Sequence, residues 1–175
     1  MTEAVGKVGP IVWPRSLRSR RVSLSAIEAE TLPASAPAWL AEAERAVLGV
    51  EPGCPLADQL GEGDAAYWVR VARDRPDGGR ERRTVGAVAA RQSDEWLVWR
   101  WLAVDESMRA FGYGGAAVPV VERAARRAGL SAARVLVPAS NGVALYFWLR
   151  LGYRPSTGGA WPRPYEGTWM VRETL

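Results

Sequence analysis

The sequence predicts a single domain of mixed α/β class, and three observations predict it. First, Tyr67 to Arg73 and Arg83 to Arg91 read as strands flanking Pro76-Asp77-Gly78-Gly79, whose residues favour a tight antiparallel reversal. Second, the pattern changes beyond Val104. A helix (about 115 to 128), a strand (Arg134 to Pro138), a second helix (about 141 to 151) and a last strand (Thr168 to Glu173) follow in turn. Third, 175 residues with 48% apolar content bury one sizeable core and demand no second domain.

Taken in order, residues 1 to 16 mix Gly, Pro and small residues around Trp13 with no period. They read as a tail or edge segment ahead of one domain over 17 to 175. A short strand is expected around Val22 to Ile27. A helical pattern follows from Ala38 to Leu48, with Leu40, Ala43, Val47 and Leu48 on one side and Pro37 suited to its start. Glu51-Pro-Gly-Cys-Pro and Gly61-Glu-Gly then interrupt the chain, and a mobile lid is expected there. After the hairpin, Trp96 to Val104 is apolar on both faces except at Arg100, as a covered central strand requires. Strict alternation puts Trp99 and Trp101 on one face of it and Arg100 on the other. No internal repeat is present.

Composition excludes several classes of function. The chain has no histidine, which removes the commonest metal ligand and the one side chain that titrates near neutrality unperturbed. Zinc chemistry and Ser-His-Asp catalysis are not expected, and no metal is. No apolar run approaches the roughly 20 residues of a bilayer span, and the N-terminus lacks the apolar core of a signal peptide. The lone Cys54 has no internal disulfide partner, so a cytoplasmic protein without a membrane partner is expected. The net charge of +4 comes almost entirely from arginine, Lys7 being the only lysine. Arg15, Arg18, Arg20 and Arg21, and again Arg80, Arg82 and Arg83, form clusters. Both flank strands or turns, where solvated charge is ordinary, and nucleic acid is not an expected partner.

Two motifs carry chemistry. The turn Arg109-Ala110-Phe111-Gly112-Tyr113-Gly114-Gly115 lies between the apolar strand and a helix. Glycines let backbone approach a ligand closely, and a helix start aims unpaired N–H groups and a positive dipole end at an anion. Downstream lies Asn141-Gly-Val-Ala144-Leu-Tyr-Phe-Trp148-Leu-Arg-Leu-Gly152-Tyr153. At about 100° per residue Asn141, Ala144 and Trp148 share one helix face, with Asn141 suited to the N-cap and Gly152 to the position after the C-cap.

Together Leu102-x-Val104, Arg109-x-x-Gly112-x-Gly114, Asn141-x-x-Ala144 and Gly152-Tyr153 resemble the GCN5-related N-acetyltransferase (GNAT) family over roughly residues 17 to 175. The resemblance implies a mostly antiparallel sheet of six or seven strands, flanked by helices and splayed between its fourth and fifth strands. It implies acetyl-CoA in that splay as acyl donor, with direct transfer to an amine acceptor, small molecule or peptide, in a ternary complex. The N–H groups of Phe111 to Gly115 would cradle the pyrophosphate, with Arg109 and Ala110 shaping the turn. The main chain of Leu102, Ala103 and Val104 would pair with the pantetheine arm like an added strand, Asn141 would hold its amide end, and Ala144 and Trp148 would also belong to the cofactor site. Pro138 fits a strand that has lost a ladder partner. Pro119 conflicts with the helix, which is expected to start late or bend there.

Trp148 stands where the family commonly places the tyrosine that protonates the departing thiolate, and an indole N–H cannot serve as that acid. Tyr146 lies about 160° around the helix from it and reads as a surface or partner contact. Since a thiol of pKa near 8.5 can leave unassisted, slow turnover is expected rather than none. Candidate bases are Asp94, Glu95, Asp105, Glu28, Glu30 and Glu166, among which the sequence does not choose. Arg100 reads as a ligand for an acidic substrate group or, more simply, as the partner of a carboxylate on a neighbouring strand. Nine tryptophans are many for this length and are mostly expected in the core. The loop Ser156 to Thr168, with Trp161, Tyr165 and Glu166, reads as a pocket wall or a homodimer contact. Two rival readings remain: an acyl-CoA-binding module without turnover, and a dinucleotide-binding fold suggested by Gly112-x-Gly114-x-x-Ala117.

Overall fold

The computed structural model describes residues 9–27, 40, 63–74, 77–158, 161–163 and 166–175. Of the helix expected from Ala38 to Leu48 it describes Leu40 alone, helical and buried. The breaker-rich stretch through residue 62, with its expected lid, and Glu28, Glu30, Cys54 and Tyr165 lie outside the described residues.

Among the described residues eight strands form one sheet: β1 (Ser16–Arg18), β2 (Ser23–Ala26), β3 (Asp64–Asp74), β4 (Arg80–Ser93), β5 (Trp96–Val104), β6 (Ala132–Pro138), β7 (Arg154–Pro155) and β8 (Gly167–Arg172). Their order is β1-β2-β3-β4-β5-β6-β8-β7, and every neighbouring pair is antiparallel except β5 with β6. This corrects the expected six or seven strands. β1 and β7, of 3 and 2 residues, are too short to show a period in the sequence. The β3–β4 hairpin forms as expected: Gly78 takes the left-handed conformation and Gly79 N–H bonds the Asp77 carboxylate at 2.9 Å. The segment before β1 is tied to the sheet, because Gln92 bonds Ile11 and Gly9 and the Tyr67 hydroxyl bonds the Pro14 carbonyl at 2.8 Å. Burial pushes that phenol up to about 12.

The parallel pair is short. β5 meets β6 only from Trp96 to Trp99, against Ala132 to Val135. Beyond that point β5 remains bonded to β4 and β6 to β8, so the sheet opens between two strands that each keep one neighbour. These are the fourth and fifth strands of the sequence-based reading, and the splay falls where it was expected.

A β-bulge sits at the same point. Ala90 opposes Trp99 and Ala89 opposes Trp101, leaving Arg100 as the extra residue. The bulge reverses the alternation. Leu97 and Trp99 enter the core under the helices, while Trp101 and Ala103 join Leu40, Ala66, Trp68, Ala87 and Ala89 on the opposite face. Trp99 and Trp101 therefore lie on opposite faces, which corrects the shared face that strict alternation gave. One inserted residue shifts every later side chain by half a period.

Two helices cover the first face: α1 (Tyr113–Arg127) and α2 (Gly142–Arg150). Val118, Val121 and Ala125 of α1 and Trp148 of α2 pack there against Val69, Val88, Leu97 and Trp99. Both helices end in the same way. Leu130 N–H reaches the Ala125 carbonyl and Tyr153 N–H the Trp148 carbonyl, with Gly129 and Gly152 left-handed between. α1 starts at Tyr113, earlier than expected, and runs through Pro119. The proline forfeits a single bond, to Gly115, and stands on the exposed side, where that costs least.

Candidate active site

The splay is lined by the free edge of β5, the first turn of α1 and the start of α2. After Val104 the chain reverses. The Asp105 carboxylate caps a short 3₁₀ turn, Glu106–Met108, accepting from Ser107 N–H at 3.0 Å and Ser107 hydroxyl at 2.8 Å, and lies 3.6 Å from Arg83. Asp105 is thus occupied in shaping the turn. Arg109 follows, its Nε donating to the Val104 carbonyl at 3.3 Å and its guanidinium 3.6 Å from Glu106. Ala110 (φ 67°) and Gly112 (φ 77°) both take left-handed backbone, costing of order 1 kcal/mol at the alanine.

Gly112 is the N-cap of α1, with no side-chain cap, and the first helical bond runs from Ala116 N–H to its carbonyl. The N–H groups of Tyr113, Gly114 and Gly115 precede that bond, and the first turn holds no acidic residue. Gly114 is buried where a Cβ would stand 3.2 Å from Leu102 Cδ2 and 3.4 Å from the Phe147 ring. Thus β5, α1 and α2 converge on a residue without a side chain. Phe111 is exposed and stacks with Tyr113, ring centres 6.0 Å apart.

Across the splay, Asn141 is the N-cap of α2, as its spacing predicted: Oδ1 accepts from Ala144 N–H at 2.9 Å. That leaves the amide nitrogen of Asn141, which has no hydrogen bond among the described residues. Ala144 is half-buried, one turn on. Trp148, next on the same face, is only 5% exposed. It packs against Tyr153, Phe147 and Trp99 at 4.8, 5.2 and 5.6 Å between ring centres.

Tyr153 anchors this aromatic group. Its hydroxyl accepts from Trp99 Nε1 at 2.6 Å and donates to Glu122 Oε1 at 2.7 Å, and Glu122 Oε2 accepts from Arg172 at 2.9 Å. Burial and the neighbouring Glu122 carboxylate hold the phenol far above its usual range, so it is no proton donor to a leaving group. Burial likewise raises Glu122, against the opposing pull of Tyr153 and Arg172. Tyr146 is 62% exposed and faces away, with Arg150 over its ring.

The candidate bases among the described residues do not converge. Asp94 and Glu95 are exposed in the β4–β5 turn, at the end of β5 where β6 is still paired. Glu95 precedes Trp99 by four residues, about 13 Å along a strand. Glu166 is exposed and bonds Ala139 N–H through its carbonyl at 3.1 Å. Arg100 lies 3.9 Å from the Asp64 carboxylate, whose side chain is only 3% exposed. Asp64 opens β3, with β4 between it and β5, so this carboxylate is not on a neighbouring strand as expected but one strand further away.

The aromatic loop is held by an internal cation. Trp96, Trp161 and Trp169 surround the Arg134 guanidinium, whose centre stands 5.6, 4.6 and 5.4 Å from their rings. Burial lowers the pKa of that arginine. Trp161 is thereby fixed on the sheet face opposite α1 and α2, beside Val98 and Leu136. No group of metal-ligating side chains occurs among the described residues.

Residues 25–153 match the family model described as "Acetyltransferase (GNAT) family". The chain belongs to this family. A probable GNAT-family acetyltransferase from Chromobacterium violaceum superposes with a TM-score of 0.70 at 16% identity, over 98% of this chain and 91% of that one. A GNAT acetyltransferase from Elizabethkingia anophelis, with acetyl-CoA bound, gives 0.59 at 15% identity, over 89% and 99%. The ribosomal-protein-S18-alanine N-acetyltransferase of Escherichia coli gives 0.56 at 16%, over 86% and 90%. No curated protein matches the sequence. The dinucleotide-fold reading falls here, since the glycine fingerprint follows a strand of a largely antiparallel GNAT sheet.

Proposed function

We propose that the protein transfers an acetyl group from acetyl-CoA to an amine acceptor by direct attack in a ternary complex. The observation that carries this is the coincidence of the β5–β6 splay with an uncapped, acid-free helix start. The pyrophosphate would rest on the N–H groups of Tyr113, Gly114 and Gly115, with Arg109, Ala110, Phe111 and Gly112 setting the turn. The pantetheine arm would lie along Leu102, Ala103 and Val104 as an added strand, with the Asn141 amide nitrogen donating to it and Ala144 alongside.

Neither Trp148 nor Tyr153 serves as acid, so the thiolate of coenzyme A would leave unprotonated by the protein. That is affordable for a thiol of pKa about 8.5, and a positioned acid is worth roughly 10²- to 10⁴-fold, which sets the expected slowing. The same two buried residues favour a second reading, an acyl-CoA-binding module without turnover. Thiol release from acetyl-CoA across a panel of amines, amino acids and peptides separates the two. Acceptor-dependent release supports the transferase, whereas tight acetyl-CoA binding with no release from any acceptor overturns it in favour of the module. Action in the cytoplasm, possession of a single catalytic domain and assembly as a homodimer belong to the same proposal.

A further inference from the structure

Arg21 belongs to one of the two arginine clusters that read as solvated charge, yet it is built into the helix-start turn. The β1–β2 connection is stitched by Ser19. Its N–H bonds the Val22 carbonyl at 2.9 Å, and its hydroxyl accepts from Arg21 and Val22 N–H at 3.3 and 3.1 Å. Val22 and Leu24 are buried in the core under α1, which fixes this hairpin against the helix. From it Arg21 Nη2 donates to the Phe111 carbonyl at 2.8 Å. Its Nη1 lies so near Gly112 that a Cβ there would stand 3.4 Å away.

The charge balance of this contact is unusual. Arg109, the arginine of the motif itself, is compensated by Glu106. Arg21 makes no ion pair among the described residues, and its partner, a carbonyl, is neutral. It stands at the positive end of a helix with no acid in its first turn, where a cation is disfavoured. An uncompensated guanidinium beside three uncapped N–H groups is the arrangement an anion stabilises, and a guanidinium keeps four further N–H donors after bonding one carbonyl.

We propose that Arg21 binds a phosphate of acyl-CoA directly, so that the β1–β2 turn supplies a second, side-chain wall to the donor site. The inference rests on the acyl-CoA reading above. The occupant is the phosphorylated end of the donor, which carries both a pyrophosphate and a 3′-phosphate.

Calorimetric titration of wild type, Arg21→Gln and Arg21→Lys with coenzyme A and with 3′-dephospho-coenzyme A tests it, in about 0.1 M and about 1 M salt, where Debye lengths are ~10 and ~3 Å. Arg21→Gln is expected to weaken coenzyme A binding about tenfold at low salt with an unchanged melting temperature, Arg21→Lys less, and the loss should shrink at high salt. A loss that vanishes with the dephospho form assigns the 3′-phosphate, and a loss that persists assigns the pyrophosphate. Either supports the proposal. Equal affinity of wild type and Arg21→Gln, or a loss identical at both salt concentrations, overturns it and leaves Arg21 a brace for the turn. A wild type that binds no coenzyme A at all overturns instead the donor reading, and this inference with it.

Discussion

Gly114 lies where three elements meet, and two opposing costs apply to giving it a side chain. In a helix interior alanine is favoured over glycine by about 1 kcal/mol. Pressing a methyl to 3.2 Å from Leu102 and 3.4 Å from Phe147 costs roughly 1–3 kcal/mol of overpacking. Gly114→Ala is therefore expected to cost about 0–2 kcal/mol of stability, while displacing Leu102, whose backbone edges the splay. Coenzyme A affinity should fall about tenfold in calorimetry, with the melting temperature lowered by no more than about 8 °C. A large thermal loss at unchanged affinity would place Gly114 in the core and outside the donor site. Trp148 behaves in the opposite way. Its burial among Trp99, Phe147 and Tyr153 makes it a packing residue, so Trp148→Phe should cost about 1–3 kcal/mol in denaturant unfolding and leave turnover within about threefold. A hundredfold drop in kcat with little loss of stability would instead give the indole a part in the reaction.

At the scale of elements, α2 shows which features can be read locally. Its cap and stop depend on residues within a turn of each end, so Asn141 and Gly152 were visible in the sequence, as was the glycine-rich start of α1. The bulge at Arg100 was not, because a bulge is defined by what opposes it, here Ala89 and Ala90 on β4. Asp64 and Arg21 were hidden for the same reason, since their partners lie 36 and 90 residues away in sequence. The two functions assigned to Asn141 can be separated. Asn141→Ala removes the cap and should cost about 1 kcal/mol. Asn141→Asp keeps an oxygen for Ala144 N–H but loses the amide donor, so stability should hold while coenzyme A affinity falls about threefold to tenfold. Equal affinity of Asn141→Asp and wild type would remove Asn141 from the donor site.

For the molecule as a whole, opening a sheet along its centre forfeits ladder bonds, and the structure joins the two halves by other means. Trp99 of β5, Tyr153 after α2, Glu122 of α1 and Arg172 of β8 form one hydrogen-bonded chain beneath the splay. Glu122 is its costly member, because burial outweighs the pull of Tyr153 and Arg172 and raises its pKa in the folded state. The folded protein therefore holds a proton on Glu122 at pH values where the unfolded chain, with an ordinary carboxylate near 4.3, has released it. Stability from this group is fully present below the unfolded value and is lost as pH rises through the folded one. Glu122→Gln cannot ionise, so the other carboxylates cancel in the comparison. Urea unfolding of both proteins between pH 4 and 8 should show wild type losing stability relative to Glu122→Gln as pH rises. A wild type that gains on the variant over that range would mean that the ion pair with Arg172 outweighs burial, and that the two halves are joined by charge rather than in spite of it.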